Sequence, residues 1–142
     1  MSVFKKIFLD TSPVIYMLGD DKPFKTKTQQ IIFSLSEQAD EPKFVLSTIT
    51  CMEYLVIPYR THNQQAIDSL KRLITDANVI VHDVTLDIIF KAAQIRAEYK
   101  HFKAMDAIQL ATACLNNCDL FLTNDRQLKQ FEEINCITIE EW

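Results

Sequence analysis

The sequence contains almost no glycine and little proline. Of its 142 residues one is glycine, Gly19, and four are proline. Loops that cradle nucleotide phosphates need several glycines, because the backbone must approach the phosphate closely. The scarcity therefore excludes P-loop and dinucleotide-binding motifs, and it leaves no flexible linker. With 48% hydrophobic residues, the chain has the size of one domain with a substantial core, and we expect residues 1–142 to form a single domain.

The chain also lacks an excess of basic residues and any long apolar run. Its formal net charge of -4 is unusual for a protein that binds nucleic acid through one broad basic face, although a local basic rim remains compatible with it. No run approaches the length needed to span a bilayer, and no apolar segment of a signal peptide follows the basic start. The cysteines form no C-x-x-C pattern, which is typical of free thiols in a reducing compartment. We therefore expect a cytoplasmic protein that does not enter a membrane.

The most informative stretch is a short apolar run that ends in an acid. Residues 7–9 are consecutive apolar side chains, which favour a strand buried on both faces. Ser12 offers an N-cap oxygen, and Pro13 suits the first position of the helix that follows. Asp10 is thereby predicted at the carboxyl end of a central strand, where open α/β sheets bind their ligands.

Strand and helix patterns then alternate along the whole chain. Further apolar strands are predicted at 44–46, 79–81, 120–122 and 136–139, with helices at 13–18, 25–39, 63–76, 85–99, 104–115 and 126–131, and another that begins near 48. We expect Thr28 to face solvent and Pro58 to end its helix. In the helix at 85–99, the apolar residues at one helical spacing are Leu86, Ile89, Phe90, Ala93 and Ala97. The alternation predicts a three-layer α/β/α fold around a parallel sheet of four to five strands.

Three further acids can reach the sheet edge at which Asp10 is expected. Glu53 lies in the helix after the second strand, and Asp125 follows the fourth strand directly. Asp106 opens a helix rich in small residues, which allow a close approach to the sheet. The four carboxylates can therefore converge.

Each of these acids also has a local explanation. Glu53 fits a capping box with Thr50, unless Ser47 or Thr48 caps that helix and leaves Glu53 beside apolar residues. Asp106 stabilises a helix N-terminus through the helix dipole. The last acid, or the asparagine before it, can cap the helix that follows. If the four carboxylates converge, a single site explains all of them without separate local roles.

Clustered carboxylates repel one another and raise one another's pKa values, so a positive group must join them. No lysine or arginine lies one turn from Glu53. Hard oxygen ligands select Mg²⁺ or Mn²⁺, whereas zinc would require histidine or cysteine ligands at suitable spacing. Such ions can activate water and stabilise the leaving oxygen of a phosphodiester. The acids therefore predict metal-assisted phosphodiester hydrolysis.

At this point four segments resemble a known family. They are F-L-D-T-S at 8–12, Glu53, D-A-I-Q-L-A-T-A at 106–113 and L-T-N-D at 122–125. In this order they are similar to the PIN domain, and in particular to the VapC-type toxin ribonucleases of bacterial toxin–antitoxin pairs. The resemblance covers essentially the whole chain.

The resemblance implies roles for named residues. Asp10, Glu53, Asp106 and Asp125 would be the catalytic acids that hold Mg²⁺ or Mn²⁺. The supporting residues would be the hydroxyls of Thr11 and Thr123 and the polar side chain of Asn124. It also implies an RNA substrate, a homodimer, and a cognate antitoxin that inserts a segment into the groove.

Two other functions remain open from the sequence. A phosphatase with Asp10 as nucleophile would carry a second acid two residues later, where this chain has Ser12. A catalytically degenerate PIN fold could instead serve as a binding module for RNA or protein. Substrate contacts would come from rim cations, for which Lys103 and Arg126 are the main candidates. Further candidates of the same kind are Lys22, Lys25, Arg60 and Lys100.

Overall fold

A computed structural model describes residues 3–75 and 79–142. The strands are β1 (Lys6–Leu9), β2 (Lys43–Ser47), β3 (Val79–His82), β4 (Leu120–Thr123) and β5 (Asn135–Thr138). The helices are α1 (Thr11–Leu18), α2 (Lys22–Gln38), α3 (Thr48–Arg60), α4 (Gln64–Thr75), α5 (Leu86–Glu98) and α6 (Ala104–Leu115). A 3₁₀ helix spans Arg126–Gln130.

The five strands form one parallel sheet in the order β3-β2-β1-β4-β5. Strand β1 lies at the centre, where Phe8 is paired with Val45 on one side and with Phe121 on the other. Because all strands are parallel, their carboxyl ends meet at a single edge of the sheet. This edge receives the segments that follow β1, β2 and β4.

Both faces of the sheet are covered, so successive side chains of β1 enter two different cores. Ile7 and Leu9 pack with residues of α1, α2, α3 and α4. Phe8 faces α5, α6 and the 3₁₀ helix, and its ring stacks on Phe121 with centroids 5.1 Å apart. The predicted three-layer α/β/α architecture with a five-stranded parallel sheet is therefore confirmed.

The start of α1 differs from the prediction. Asp10, not Ser12, is the N-cap, because the Asp10 carboxylate accepts a hydrogen bond of 2.9 Å from the Thr11 N–H. Pro13 lies in the first turn but not at its first position. It is tolerated there because the first four N–H groups of a helix have no intrahelical partner.

Two predictions about single residues in other helices are wrong. Thr28 is fully buried, since its spacing from Ile31 and Leu35 places it on the same inward face of α2. Pro58 lies inside α3, which continues to Arg60. Pro58 lies in the last turn of the helix, with only Tyr59 and Arg60 after it.

The buried face of α5 is also not the predicted one. Ile88, Ala92 and Ile95 are buried, whereas Leu86 and Phe90 are 67% and 63% exposed. The remaining members of the predicted stripe, Ile89, Ala93 and Ala97, are exposed as well. Helical periodicity alone could not choose between two apolar faces of one helix.

Three remaining predictions concern the end of one helix, the type of another, and membrane-spanning segments. The predicted end of the helix at 63–76 lies outside the described residues. The segment after β4 is a 3₁₀ helix and not an α-helix. In the part of the chain that the structure describes, no helix has the length and apolar character needed to cross a membrane.

Candidate functional site

Asp10 lies at the end of β1, where it joins two central strands. One carboxylate oxygen accepts the N–H of Thr11, and the other accepts a hydrogen bond of 2.8 Å from the Thr123 hydroxyl at the end of β4. The residue is only 8% exposed. The fold therefore shields this carboxylate and fixes its orientation.

The environment of Asp10 disfavours its charge. The pKa of Asp10 is raised to about 6, and burial is the main cause. The hydrogen bonds from Thr11 and Thr123 oppose the rise, and the negative charges of Asp106 and Glu53 contribute to it. The acids that the sequence places on three different elements thus interact with one another in the folded chain.

Glu53 contacts the segment that carries Asp10 and does not form a capping box. The α3 N-cap is Ser47, whose hydroxyl accepts the Thr50 N–H at 3.2 Å, so the Ser47 alternative is confirmed and the Thr50–Glu53 box is wrong. Glu53 lies in the second turn of α3 and accepts a hydrogen bond of 2.6 Å from the Thr11 hydroxyl. Thr11 therefore connects the Glu53 carboxylate to the segment that carries Asp10.

Asp106 lies in the first turn of α6 and is half-buried. Burial is the main cause that raises its pKa, and the charges of Asp125 and Glu53 add to it. The charge of Lys103 and a hydrogen bond from its backbone act in the opposite direction. Asp106 therefore combines the predicted role at a helix start with a position among the other acids.

Asp125 and Asn124 occupy the outer part of this site. Asp125 is exposed and caps the 3₁₀ helix by accepting the Gln127 N–H at 3.0 Å, while its own N–H donates to the Thr123 hydroxyl at 3.1 Å. Asn124 donates from its amide to the Tyr16 hydroxyl at 3.0 Å. The Asn124 side-chain oxygen is buried with no hydrogen-bond partner in the structure.

The two candidate rim cations differ in position. Lys103 precedes α6, is exposed, and lowers the pKa of Asp106. Arg126 lies on the side of the C-terminal segment, where Lys129 and, more weakly, Arg126 lower the pKa of Glu141. The fold therefore brings the charge of Lys103 close to Asp106.

One neighbour of the site escaped sequence reasoning. Tyr16 accepts the hydrogen bond from Asn124, and its ring stacks on Phe24 with centroids 4.6 Å apart. In the sequence Tyr16 is one of several apolar or aromatic residues in a short helix. Only its contact with a residue 108 positions away reveals its place.

The donor chemistry fits a hard divalent cation, but the side chains do not form a compact metal cluster. All four acids offer carboxylate oxygens, which suit Mg²⁺ or Mn²⁺. The charges of these acids raise one another's pKa values, and a cation would offset that repulsion. Within residues 3–75 and 79–142, however, no three histidine, cysteine or acidic side chains stand close enough to hold an ion.

Comparison with known proteins identifies the family. The family model described as the PIN domain matches residues 7–134. The chain belongs to the PIN domain family. The match spans β1 to the end of the segment before β5 and includes all four acids.

Solved structures share the fold of this PIN domain at low sequence identity. VapBC-1 from nontypeable Haemophilus influenzae matches with a TM-score of 0.75 and 18% identity, covering 95% of this chain and 98% of that chain. VapBC2 from Rickettsia felis, bound to a DNA fragment from its promoter, has a TM-score of 0.74 and 14% identity over 94% and 98%. VapC20 from Mycobacterium tuberculosis, a sarcin–ricin loop-cleaving toxin, has a TM-score of 0.65 and 19% identity over 91% and 98%.

No curated protein matches the sequence. The predicted PIN fold is nevertheless confirmed independently by the family match and by the structural similarity. At these identities the solved structures establish the fold of this chain and nothing further about it.

Proposed function

We propose that this PIN domain is a Mg²⁺- or Mn²⁺-dependent endoribonuclease and the toxin of a bacterial toxin–antitoxin pair. The observation that carries the enzymatic part is the mutual interaction of Asp10, Glu53, Asp106 and Asp125 at the carboxyl edge of the sheet. Burying an acid among other acids costs stability. A cation-binding site would explain why the four acids lie together, whereas separate helix caps would not require them to do so.

In this proposal Asp10, Glu53 and Asp106 hold the cation, with Asp125 as the fourth acid. A bound divalent ion would supply activation of water and stabilisation of negative charge on the phosphodiester. Thr123 and Thr11 orient the carboxylates of Asp10 and Glu53 through the hydrogen bonds described above.

The rim of the site supports an RNA substrate. Lys103 lies beside Asp106 and can contact a phosphate of the RNA backbone, which positions the strand without reading its sequence. Asn124, which precedes Asp125 in the chain, is held by its hydrogen bond to Tyr16.

The toxin part of the proposal rests on similarity. The solved structures that share this fold include VapBC toxin–antitoxin assemblies and a toxin that cleaves the sarcin–ricin loop. We therefore propose an antitoxin protein as partner and a homodimer as the form that binds it. Production of the wild-type chain alone in a bacterial host should slow growth, and the Asp10→Asn variant should not. Normal growth with abundant wild-type protein would refute the toxin role and leave the nuclease role standing.

The enzymatic part is tested by a matched pair of variants. Asp106 and Asp87 both lie in the first turn of a helix, so Asp106→Asn and Asp87→Asn remove the same favourable interaction with a helix dipole. RNA cleavage with Mn²⁺ should fall to background in Asp106→Asn and stay at the wild-type rate in Asp87→Asn. Equal rates in the two variants would show that Asp106 is only a helix-stabilising residue.

A catalytically degenerate binding module is the second candidate. The absence of a compact group of three metal-binding side chains in the described residues favours it. Such a module would bind RNA equally well with and without Mn²⁺ and would not cleave it. Cleavage that begins on addition of Mn²⁺ and stops on chelation would exclude this candidate.

A further inference from the structure

A buried polar cluster links α3 to α6 one helical turn away from the acids. It consists of Ser47, Thr50 and Gln109, none of them more than 1% exposed, and we refer to it as the Gln109 cluster. The Ser47 hydroxyl donates to the Gln109 side-chain oxygen, and the Gln109 amide nitrogen donates to the Thr50 hydroxyl at 2.7 Å. Both ends of the glutamine amide are thus bonded to α3 or its cap.

The stability of α6 does not by itself require a glutamine at position 109. Burying an amide is unfavourable unless both ends find partners, and Gln109 lies between two apolar residues of the helix. The other polar side chains of this region bond within their own helix. Thr112 donates to the Ile108 carbonyl at 2.7 Å, and Asn116 donates to the Thr112 carbonyl at 2.8 Å. Gln109 differs because both of its partners belong to another part of the chain.

The spacing places each half of the cluster next to an acid. Gln109 follows Asp106 by three residues in α6, and Thr50 precedes Glu53 by three residues in α3. Residues three apart share a helix face. Glu53 and Asp106 are close enough for the charge of one to affect the other. The Gln109 cluster is therefore a direct polar connection between the two helices that carry these acids.

We propose that Gln109 is a positioning residue, whose buried amide fixes the separation of Glu53 from Asp106. The proposal rests on the proposed function, in which both acids hold the same cation. Functional groups must be held to within about 0.5 Å of their working positions by supporting hydrogen bonds and packing. A link with two bonded ends, fully shielded from water, meets that requirement.

The first test measures the separation without any metal. Met52 and Met105 are 48% and 40% exposed, and each adjoins one acid. The substitutions Met52→Cys and Met105→Cys introduce the thiols to which the spin labels are coupled. Cys51 and Cys114, the two partly accessible thiols, are replaced by serine. Pulsed electron paramagnetic resonance then gives the distance distribution between the labels.

The variants are chosen to separate position from stability. Gln109→Leu removes the link but keeps the side-chain volume, while Thr112→Val removes a buried hydroxyl from the same helix without affecting the link. The distribution should broaden in Gln109→Leu and remain that of the parent in Thr112→Val. If Gln109→Leu does not fold, Thr50→Val is used instead, because it removes one of the two hydrogen bonds of the Gln109 amide. An unchanged distribution in the folded link variant overturns the proposal.

The second test measures the Mn²⁺ concentration that produces half of the metal-induced rise in melting temperature. Supporting residues commonly change metal affinity by about 10- to 100-fold, so Gln109→Leu should need at least about tenfold more Mn²⁺ than Thr112→Val. Equal midpoints in the two variants, with a wild-type protein that responds, overturn the positioning role. A wild-type protein that ignores Mn²⁺, together with a broadened distance distribution in Gln109→Leu, refutes the proposed metal site and supports the positioning role of Gln109.

Discussion

Asp10 and Asp119 lie at opposite ends of the same two central strands. Asp119 precedes β4 and accepts the N–H groups of Lys5 and Lys6 at 2.8 and 3.0 Å, at the start of β1. Asp10 follows β1 and accepts the hydroxyl of Thr123, at the end of β4. Each aspartate thus bridges β1 and β4, one at the amino edge of the sheet and the other at the carboxyl edge.

The two environments are otherwise opposite. Asp119 is exposed, and its carboxylate accepts two backbone N–H groups that link the start of β1 to β4. Asp10 is buried, and the nearby acids Glu53 and Asp106 add to a pKa already raised by burial. Asp119 therefore stabilises the fold, whereas ionised Asp10 destabilises it. An aspartate thus links the two strands at both edges, but only Asp10, at the carboxyl edge, lies among other acids.

The largest difference should appear in catalysis. Asp10→Asn should reduce RNA cleavage to background, because it removes one of the acids that hold the cation, while Asp119→Asn should cleave at the wild-type rate. A gel assay on total RNA with Mn²⁺ measures both. Retained cleavage in Asp10→Asn would show that Asp10, like Asp119, has only a structural role.

The next largest effect concerns stability as a function of pH. The Asp10 pKa rises from 3.8 to about 6, and at about 1.4 kcal/mol per pKa unit this corresponds to about 3 kcal/mol. The folded state binds the Asp10 proton more tightly than the unfolded state, so wild-type stability falls as pH rises from about 4 to about 6.

Asp10→Asn removes this dependence. Without metal it should exceed the wild type by up to about 3 kcal/mol above pH 6, with the difference vanishing below pH 4. Urea denaturation in the presence of a chelator, at a series of pH values, measures the difference. A variant less stable than the wild type at pH 7 would contradict the raised pKa.

Metal should stabilise the native state to a similar extent. An ion that binds only the folded chain contributes about 2.7 kcal/mol when its concentration is a hundred times its Kd. For a domain of this size, each kcal/mol raises the melting temperature by about 2 to 4 °C. Mn²⁺ should therefore raise the melting temperature of the wild type and of Asp119→Asn, but much less that of Asp10→Asn. A loss of the response in Asp119→Asn would locate the cation away from the carboxyl edge.

The smallest effect is expected for Asp119 itself. In Asp119→Asn one of the two N–H groups loses a charged acceptor, which should lower the free energy of unfolding by about 1 kcal/mol at pH 7. The loss should be independent of Mn²⁺. Stabilisation by this substitution would mean that both edges of the sheet carry unfavourable acids.

Local patterns in the sequence determined the order of the elements and the position of the acids along them. Consecutive apolar residues such as those of β1 predict a buried strand. Asp10 follows such a run directly, and Asp125 lies three residues after the apolar run of β4. The all-parallel sheet with its carboxyl ends at one edge then brings these acids together. These features could be predicted because apolar runs and turn residues are local signals, and because alternating strands and helices favour right-handed parallel connections.

Only the tertiary structure decided between alternatives that are equal in local terms. Asp10 or Ser12 could cap α1, Ser47 or Thr50 could cap α3, and either apolar face of α5 could be buried. The shielding of Asp10 and the bonding of Gln109 to α3 depend on partners 113 and about 60 residues away. Burial and long-range hydrogen bonds arise from the packing of whole layers, so no window of the sequence specifies them.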